Sequence, residues 1–128
     1  MLYLQRSQSR PNPDVLSPAD SKFIQEHFNV YSGNLTVQGQ SVEWSAIEAI
    51  EVVVAPHISG AAGWFVRNVV VREERYHVGL YSGHVEIVLP NLTLAVAQYV
   101  VGCVAHFAPL PVRYSGLPDF APTTEEAG

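Results

Sequence analysis

The sequence predicts an α+β fold in which a bent antiparallel sheet, or a partly open barrel of six to seven strands, is capped by a C-terminal helix. Apolar and polar residues alternate with a period of two in short segments between residues 35 and 89, as they do in half-buried strands. Apolar residues then recur at helical spacing over residues 92–107. A chain of 128 residues, 48% hydrophobic and 15% charged, is the size of one globular domain and too apolar for a disordered protein.

We expect a single α+β domain at residues 17–114, preceded by a flexible arm (1–16) and followed by a flexible tail (115–128). Both terminal segments contain several Ser and Pro residues and lack a sustained hydrophobic period. A short N-terminal helix is predicted to begin at Pro18, because Ser17 stands in the N-cap position and proline is favoured at the first helical position. This helix is expected to end near Phe28.

The first hairpin is predicted from two alternating segments that flank Gly39-Gln40, a pair suited to a two-residue loop. That loop pairs Val37 with Val42 and Leu35 with Trp44, so the four apolar side chains share one face of the sheet.

The other strands are expected at 48–55, 64–72, 75–81 and 84–89. Pro56 to Gly63 is predicted to be a loop, and Ser82-Gly83 a two-residue turn. The final helix is expected from Leu92 to about Phe107, because Pro109 follows it.

Charge and cysteine content narrow the class of protein. Seven Lys+Arg against twelve Asp+Glu give a net charge of -5, which argues against nucleic acid as a partner. Cys103 is the single cysteine, so neither an intramolecular disulfide nor a cysteine metal cage can form.

The uncharged stretch between Glu86 and Arg113 is interrupted by prolines and predicts a strand followed by a buried helix. We therefore expect a soluble, cytoplasmic protein without membrane insertion.

The last hairpin carries a polar patch on its outer face, formed by His77, Tyr81, His84 and Glu86. The predicted register places His77 opposite Val88 and His84 opposite Tyr81, with Glu86 diagonal to His77. The patch is interpreted as a solvated sheet face, a polar binding surface, or an acid-base pair tuned near neutral pH. The five histidines lack metal-ligand spacing, so no metal site is assigned. No cofactor and no catalytic residue are assigned either.

The outer side of the final helix is small and nearly uncharged, and consists of Gln98, Gly102, Ala105 and His106. A surface helix usually carries Lys and Glu on that side, so this face is predicted to be covered. The N-terminal arm and helix, the C-terminal tail, a second copy or a separate partner could each be the cover.

The sequence resembles small bacterial pleckstrin-homology-like domains over about residues 28–108. The segment Leu35 to Ile50 is similar to their opening strand, turn, apolar-x-Trp/Leu step and Ile-x-x-Ile/Val step. Tyr76 to Val88, followed by Asn91 and the helix, is similar to their last hairpin and C-terminal helix. The resemblance implies a bent barrel plugged by that helix and a role as an interaction module. The lipid-binding lysines of eukaryotic relatives have no counterpart here.

The leading hypothesis is a non-catalytic interaction module that binds itself or a protein partner through the C-terminal helix or a sheet edge. The alternative is a carrier that holds a small apolar ligand between helix and sheet, gated by the loop from Pro56 to Gly63. A third hypothesis is an enzyme that uses His77, Glu86 or His57.

Overall fold

The computed structural model describes residues 2–55, 74–83, 85–109, 111–118 and 120–125. Within these residues the chain forms two α-helices, α1 (Pro18–His27) and α2 (Leu94–Phe107), and nine strands. The strands are β1 (Leu2–Leu4), β2 (Phe28–Val30), β3 (Asn34–Val37), β4 (Gln40–Glu43), β5 (Ala49–Val54), β6 (Tyr76–Ser82), β7 (Val85–Leu92), β8 (Arg113–Gly116) and β9 (Thr123–Glu125). The predicted strand at 64–72, the predicted loop from Pro56 to Gly63, and residues His57 and His84 lie outside the described residues.

The described strands form two sheets. A six-stranded sheet has the order β7-β6-β5-β8-β1-β9, and a three-stranded sheet has the order β2-β3-β4. Neighbouring strands are antiparallel except β5 and β8, which are parallel. The predicted α+β class is therefore confirmed, and the large sheet is mixed instead of purely antiparallel. The described strands do not close into a barrel.

The first helix begins where its cap predicts. The Ser17 hydroxyl accepts a hydrogen bond from the Asp20 backbone N–H at 3.2 Å, and Pro18 is the first helical residue. Helix α1 ends at His27, and the chain enters β2 directly at Phe28.

The first hairpin differs from its predicted register. Leu35 pairs with Val42 and Val37 with Gln40, so the loop is Gln38-Gly39 and not Gly39-Gln40. Both loop residues have positive φ, 51° and 81°, which favours glycine at the second loop position. A shift of two residues keeps the same side chains facing the core, so the predicted face is correct although the predicted pairs are wrong.

The second hairpin is shifted in the same way. Tyr81 pairs with Glu86 and Ser82 with Val85, whereas the sequence predicted Tyr81 opposite His84. The same shift pairs Val88 with Gly79, so His77 does not pair with Val88 as predicted. A bulge between Tyr76 and Val78 then shifts the register again. Bulges add one residue to one strand and leave no clear sequence signal here.

Both chain ends contribute to the large sheet. Strand β1 lies between β8 and β9 and is antiparallel to each. The structure thus differs from the predicted division into an arm, a domain and a tail. These strands are only three or four residues long, too short for alternation to be visible, and β1 pairs with residues more than a hundred positions away.

Helix α2 packs its apolar side into the core. Val100, Cys103 and Val104 are fully buried there together with Ile50 and Leu89, which come from the large sheet. The small sheet contributes Leu35 and Val37 to the same core. The helix therefore buries one side in the core, and its outer side carries Gln98, Gly102, Ala105 and His106.

Candidate functional site

The outer face of α2 is covered by the chain's own N-terminal segment, defined here as residues 2–11. The Ser7 backbone N–H donates to the Ala105 carbonyl oxygen at 3.1 Å. The Ser7 carbonyl oxygen lies 3.0 Å from His106 Nδ1. Because a carbonyl only accepts, His106 Nδ1 carries the hydrogen in this contact. Two of the four predicted face residues therefore hold the N-terminal segment in place.

Arginines of the N-terminal segment bind at the C-terminal end of α2. Arg6 Nη2 donates to the carbonyl oxygens of Ala108 and Pro109 at 3.2 and 3.0 Å. A cation at this end satisfies free carbonyl groups and complements the helix dipole. The Arg10 guanidinium carbon lies 5.5 Å from the centroid of the Phe107 ring, within cation–π range.

Gly102 lies where the N-terminal segment approaches the helix most closely. A Cβ at this position would be 2.9 Å from Pro11 Cγ, which is closer than the two carbons can pack without movement. The small residue that suggested an interface on α2 is thus explained by an intramolecular contact. The sequence left the cover open among four choices, and the structure places the N-terminal segment there.

Gln98 is the exposed member of the predicted face. It lines a cleft of about 340 Å³ between the N-terminal segment, α2 and the stretch that precedes β9. Leu4, Val101, Phe120 and Pro122 contribute apolar surface to this cleft.

The outer face of β5, β6 and β7 carries the second predicted patch. The Tyr81 hydroxyl lies 3.2 Å from Glu51 Oε1 and 3.3 Å from Glu86 Oε1. A phenol has one hydrogen and donates it to one carboxylate at a time. Partial burial, and then the charges of Glu51 and Glu86, raise the pKa of Tyr81. The hydroxyl therefore stays protonated and serves as a donor.

His77 and Glu86 are engaged separately. His77 Nδ1 accepts a hydrogen bond from the Asn91 backbone N–H at 3.0 Å, which places the hydrogen of the neutral ring on Nε2. Glu86 is bonded to Tyr81. The acid-base pair considered from the sequence assumed the predicted register, in which Glu86 lies diagonal to His77. The hydrogen bonds in the structure instead join His77 to Asn91 and Glu86 to Tyr81.

Glu51 is the member of this patch that sequence reasoning missed. It comes from β5, where it lies opposite Gly79, and the Gly79 position is covered by the Tyr81 ring at ordinary van der Waals distance. The register between β5 and β6 spans a long connection, so no local pattern could have placed Glu51 beside Tyr81.

Strand β7 ends the order of the large sheet among the described strands. On its outer face Val88 is 43% exposed, and at its start Val85 is 47% exposed. Val88 belongs to a row with Gly79 and Glu51. The edge is thus a long strand with apolar side chains open to solvent.

Cys103 is fully buried on the inner side of α2. Burial raises the pKa of its thiol to about 11, although the Tyr99 hydroxyl and Arg10 oppose the shift. A neutral, buried thiol is a poor nucleophile, so Cys103 belongs to the core and not to a catalytic site.

In the part of the chain that the structure describes, no three His, Cys, Asp or Glu side chains are grouped to hold a metal ion. None of its described helices combines the length and apolar character needed to cross a membrane. No family model matches the chain, and no curated protein or solved structure matches it.

Proposed function

We propose that this protein is a non-catalytic interaction module that self-associates through the edge strand β7. The observation that carries the proposal is the pair of exposed valines, Val85 and Val88, on a strand that ends the described sheet. Edge strands offer free backbone N–H and C=O groups, which can pair with another strand.

The length of β7 distinguishes it from the other described edges. It has eight residues, whereas β2 and β9 have three each and β4 has four. Pro90 lacks an N–H group and limits the ladder at the far end. The useful edge is therefore Val85 to Leu89, which is the length of an ordinary strand.

The side chains of β7 are compatible with pairing to a second copy about a twofold axis. An antiparallel pair centred on Val88 places Val88 opposite its equivalent and Ile87 opposite Leu89 of the second copy, so the paired part of the Val85 to Leu89 edge is Ile87 to Leu89. Glu86 then lies opposite Pro90, so like charges do not face each other. Such a pair is isologous and closes as a dimer.

The resemblance to pleckstrin-homology-like domains is compatible with this proposal, since it implies an interaction module. A protein partner that adds a strand to β7 is the heterologous form of the same function. Neither the apolar-ligand carrier nor the enzyme has a comparable supporting observation: α2 packs directly on the sheet, and His77 and Glu86 are hydrogen-bonded to different groups.

The test is sedimentation velocity of the purified protein over a range of concentrations. We expect a dimer for the unmodified chain and a monomer for Val88→Lys and for Val88→Glu, because each places like charges opposite each other. Mixing the two variants should restore the dimer, because Lys and Glu then pair. Val53→Lys is the matched control: Val53 is 38% exposed on β5, away from the edge, and should leave the dimer unchanged. A monomer at every concentration for the unmodified chain, or equal loss of dimer in the Val53→Lys control, would contradict self-association through β7.

A further inference from the structure

The N-terminal segment is held almost wholly by contacts with the other end of the chain. Leu4 N–H donates to the Val112 carbonyl oxygen at 2.8 Å, and Gln5 N–H donates to the Pro122 carbonyl oxygen at 3.0 Å. Strand β1 pairs with β8 on one side and with β9 on the other. Leu4 is buried in the core beneath these bonds. The groove formed by β8, β9 and α2 is thus complementary to one extended peptide, residues 2–11 of this chain.

The connection between this segment and the rest of the domain is exposed. A short 3-10 turn, Pro13–Val15, joins the segment to α1 and contains no buried residue. Val15 at its end is 79% exposed. The turn is organised locally, by a hydrogen bond from the Asp14 N–H to the Asn12 side chain. Moving the turn itself therefore displaces no buried residue, and Leu16, which follows it, can stay packed against the core.

We infer that the N-terminal segment is exchanged between copies by domain swapping. A second copy of this chain then places its residues 2–11 in the groove formed by β8, β9 and α2. A second copy fits the groove because its residues 2–11 have the same sequence. Every hydrogen bond that the segment makes within its own chain can therefore be made to another copy. Only the connection at residues 12–15, which is exposed, changes conformation. Exchange of an identical element about such a connection is a low-cost route to a dimer. This inference is independent of β7.

The small and uncharged face of α2 fits the segment from the same chain and the segment from a second copy equally well. Gly102 admits Pro11, Ala105 receives the Ser7 N–H, and His106 donates to Ser7. These residues recognise an extended segment regardless of which chain supplies it. The interface predicted on α2 is thus a receptor surface for residues 2–11.

The experiment uses the full chain with Ser7→Cys and Ala105→Cys, whose backbones are joined by the 3.1 Å hydrogen bond, in the Val88→Lys background. After mild oxidation at increasing protein concentration, a denaturing gel without reductant separates the products. Exchange predicts a covalent dimer whose share rises with concentration, because oxidation traps the minor exchanged population of a mainly monomeric Val88→Lys chain, and which returns to monomer on reduction. Each variant with only one of the two introduced cysteines, which also retains the buried Cys103, is the control for random cross-linking. A cross-linked monomer at every concentration would overturn the inference.

The outcomes separate this inference from the proposed function. Covalent dimers in the Val88→Lys background support exchange whether or not β7 pairs. A cross-linked monomer, combined with a dimer that depends on Val88, leaves the β7 proposal standing and rejects exchange. A second variant, deletion of Pro13–Val15, shortens the connection so that the segment cannot return to its own groove. It should convert the Val88→Lys chain from monomer to dimer, and a folded monomer would count against exchange.

Discussion

The indole of Trp44 stacks on the ring of Phe107, with centroids 4.9 Å apart and planes inclined by 16°. This contact joins the short 3-10 turn after the small sheet to the last residue of α2. The indole Nε1–H also donates to the Tyr31 carbonyl oxygen at 2.8 Å. Trp44 therefore connects the turn after the small sheet to α2 and satisfies its own polar group while buried.

Replacing Trp44 should cost much of the protein's stability. Trp44→Ala is expected to lower the free energy of unfolding by about 3–5 kcal/mol, because a buried aromatic side chain is lost and a cavity remains. Trp44→Phe keeps an aromatic ring but loses the donor to Tyr31, and should cost roughly 1–2 kcal/mol. Urea unfolding followed by circular dichroism measures both values. A loss below about 1 kcal/mol for Trp44→Ala would show that the stacking contact is unimportant.

Gly116 should be the most sensitive glycine among the described residues. It has φ +121°, and a Cβ there would overlap the backbone carbonyl oxygen of Val52 in the neighbouring parallel strand. Gly116→Ala is therefore expected to destabilise the fold by more than about 3 kcal/mol, since both backbone strain and the contact between β5 and β8 are affected. Thermal unfolding monitors this loss.

The matched control is Gly33→Ala. Nothing lies within 4 Å of a Cβ built at Gly33, so its effect should stay within about 1 kcal/mol. Equal melting temperatures for the two variants would contradict the close approach of β8 to β5.

Arg6 should stabilise the closed position of the N-terminal segment. It donates to two carbonyl groups at the end of α2, so Arg6→Ala is expected to cost about 1 kcal/mol. Amide hydrogen exchange should become faster at Leu4 and Ser7, whose N–H groups are bonded in the groove. Arg6→Lys keeps the charge near the helix end and should retain part of the protection. If the amide hydrogen exchange rates of Leu4 and Ser7 are unchanged in Arg6→Ala, the backbone hydrogen bonds alone hold the segment.

The sequence was informative where structure depends on neighbours along the chain. The cap at Ser17, the start of α1 and the inward face of the first hairpin follow from local rules, and the structure has each of them. Features that depend on distant pairing were not predicted: the insertion of β1 between β8 and β9, the parallel pairing of β5 with β8, and Glu51 beside Tyr81. Both hairpin registers were wrong by two residues, because alternation identifies a face but not a pair. For the uncharged face of α2 the sequence predicted a covering segment without identifying it. The structure places the N-terminal segment against Gly102, Ala105 and His106 and leaves Gln98 exposed.

The stability of the fold at alkaline pH should depend on Cys103. Burial raises the pKa of this thiol to about 11, whereas a thiol in the unfolded chain ionises near about 8.5. The folded state therefore binds the proton more tightly, so its stabilisation is complete below the unfolded pKa and is lost as pH rises toward the folded pKa. Between about pH 8 and about pH 10.5, the unmodified chain should lose about 2 kcal/mol more than Cys103→Ala, at about 1.4 kcal/mol per unit of pKa difference.

Tyr99 and Tyr114 also have pKa values raised by burial, so both chains should lose further stability as pH rises through the ordinary range of tyrosine. Because Cys103 also raises the pKa of Tyr99, the difference between the two pH profiles, obtained from urea unfolding at each pH, measures the thiol together with its effect on Tyr99. Parallel profiles would mean that the thiol ionises equally in both states and is not buried. A steeper profile for the unmodified chain, together with a native thiol that reacts with a disulfide reagent only as fast as the protein unfolds, would place Cys103 in the closed core beneath α2.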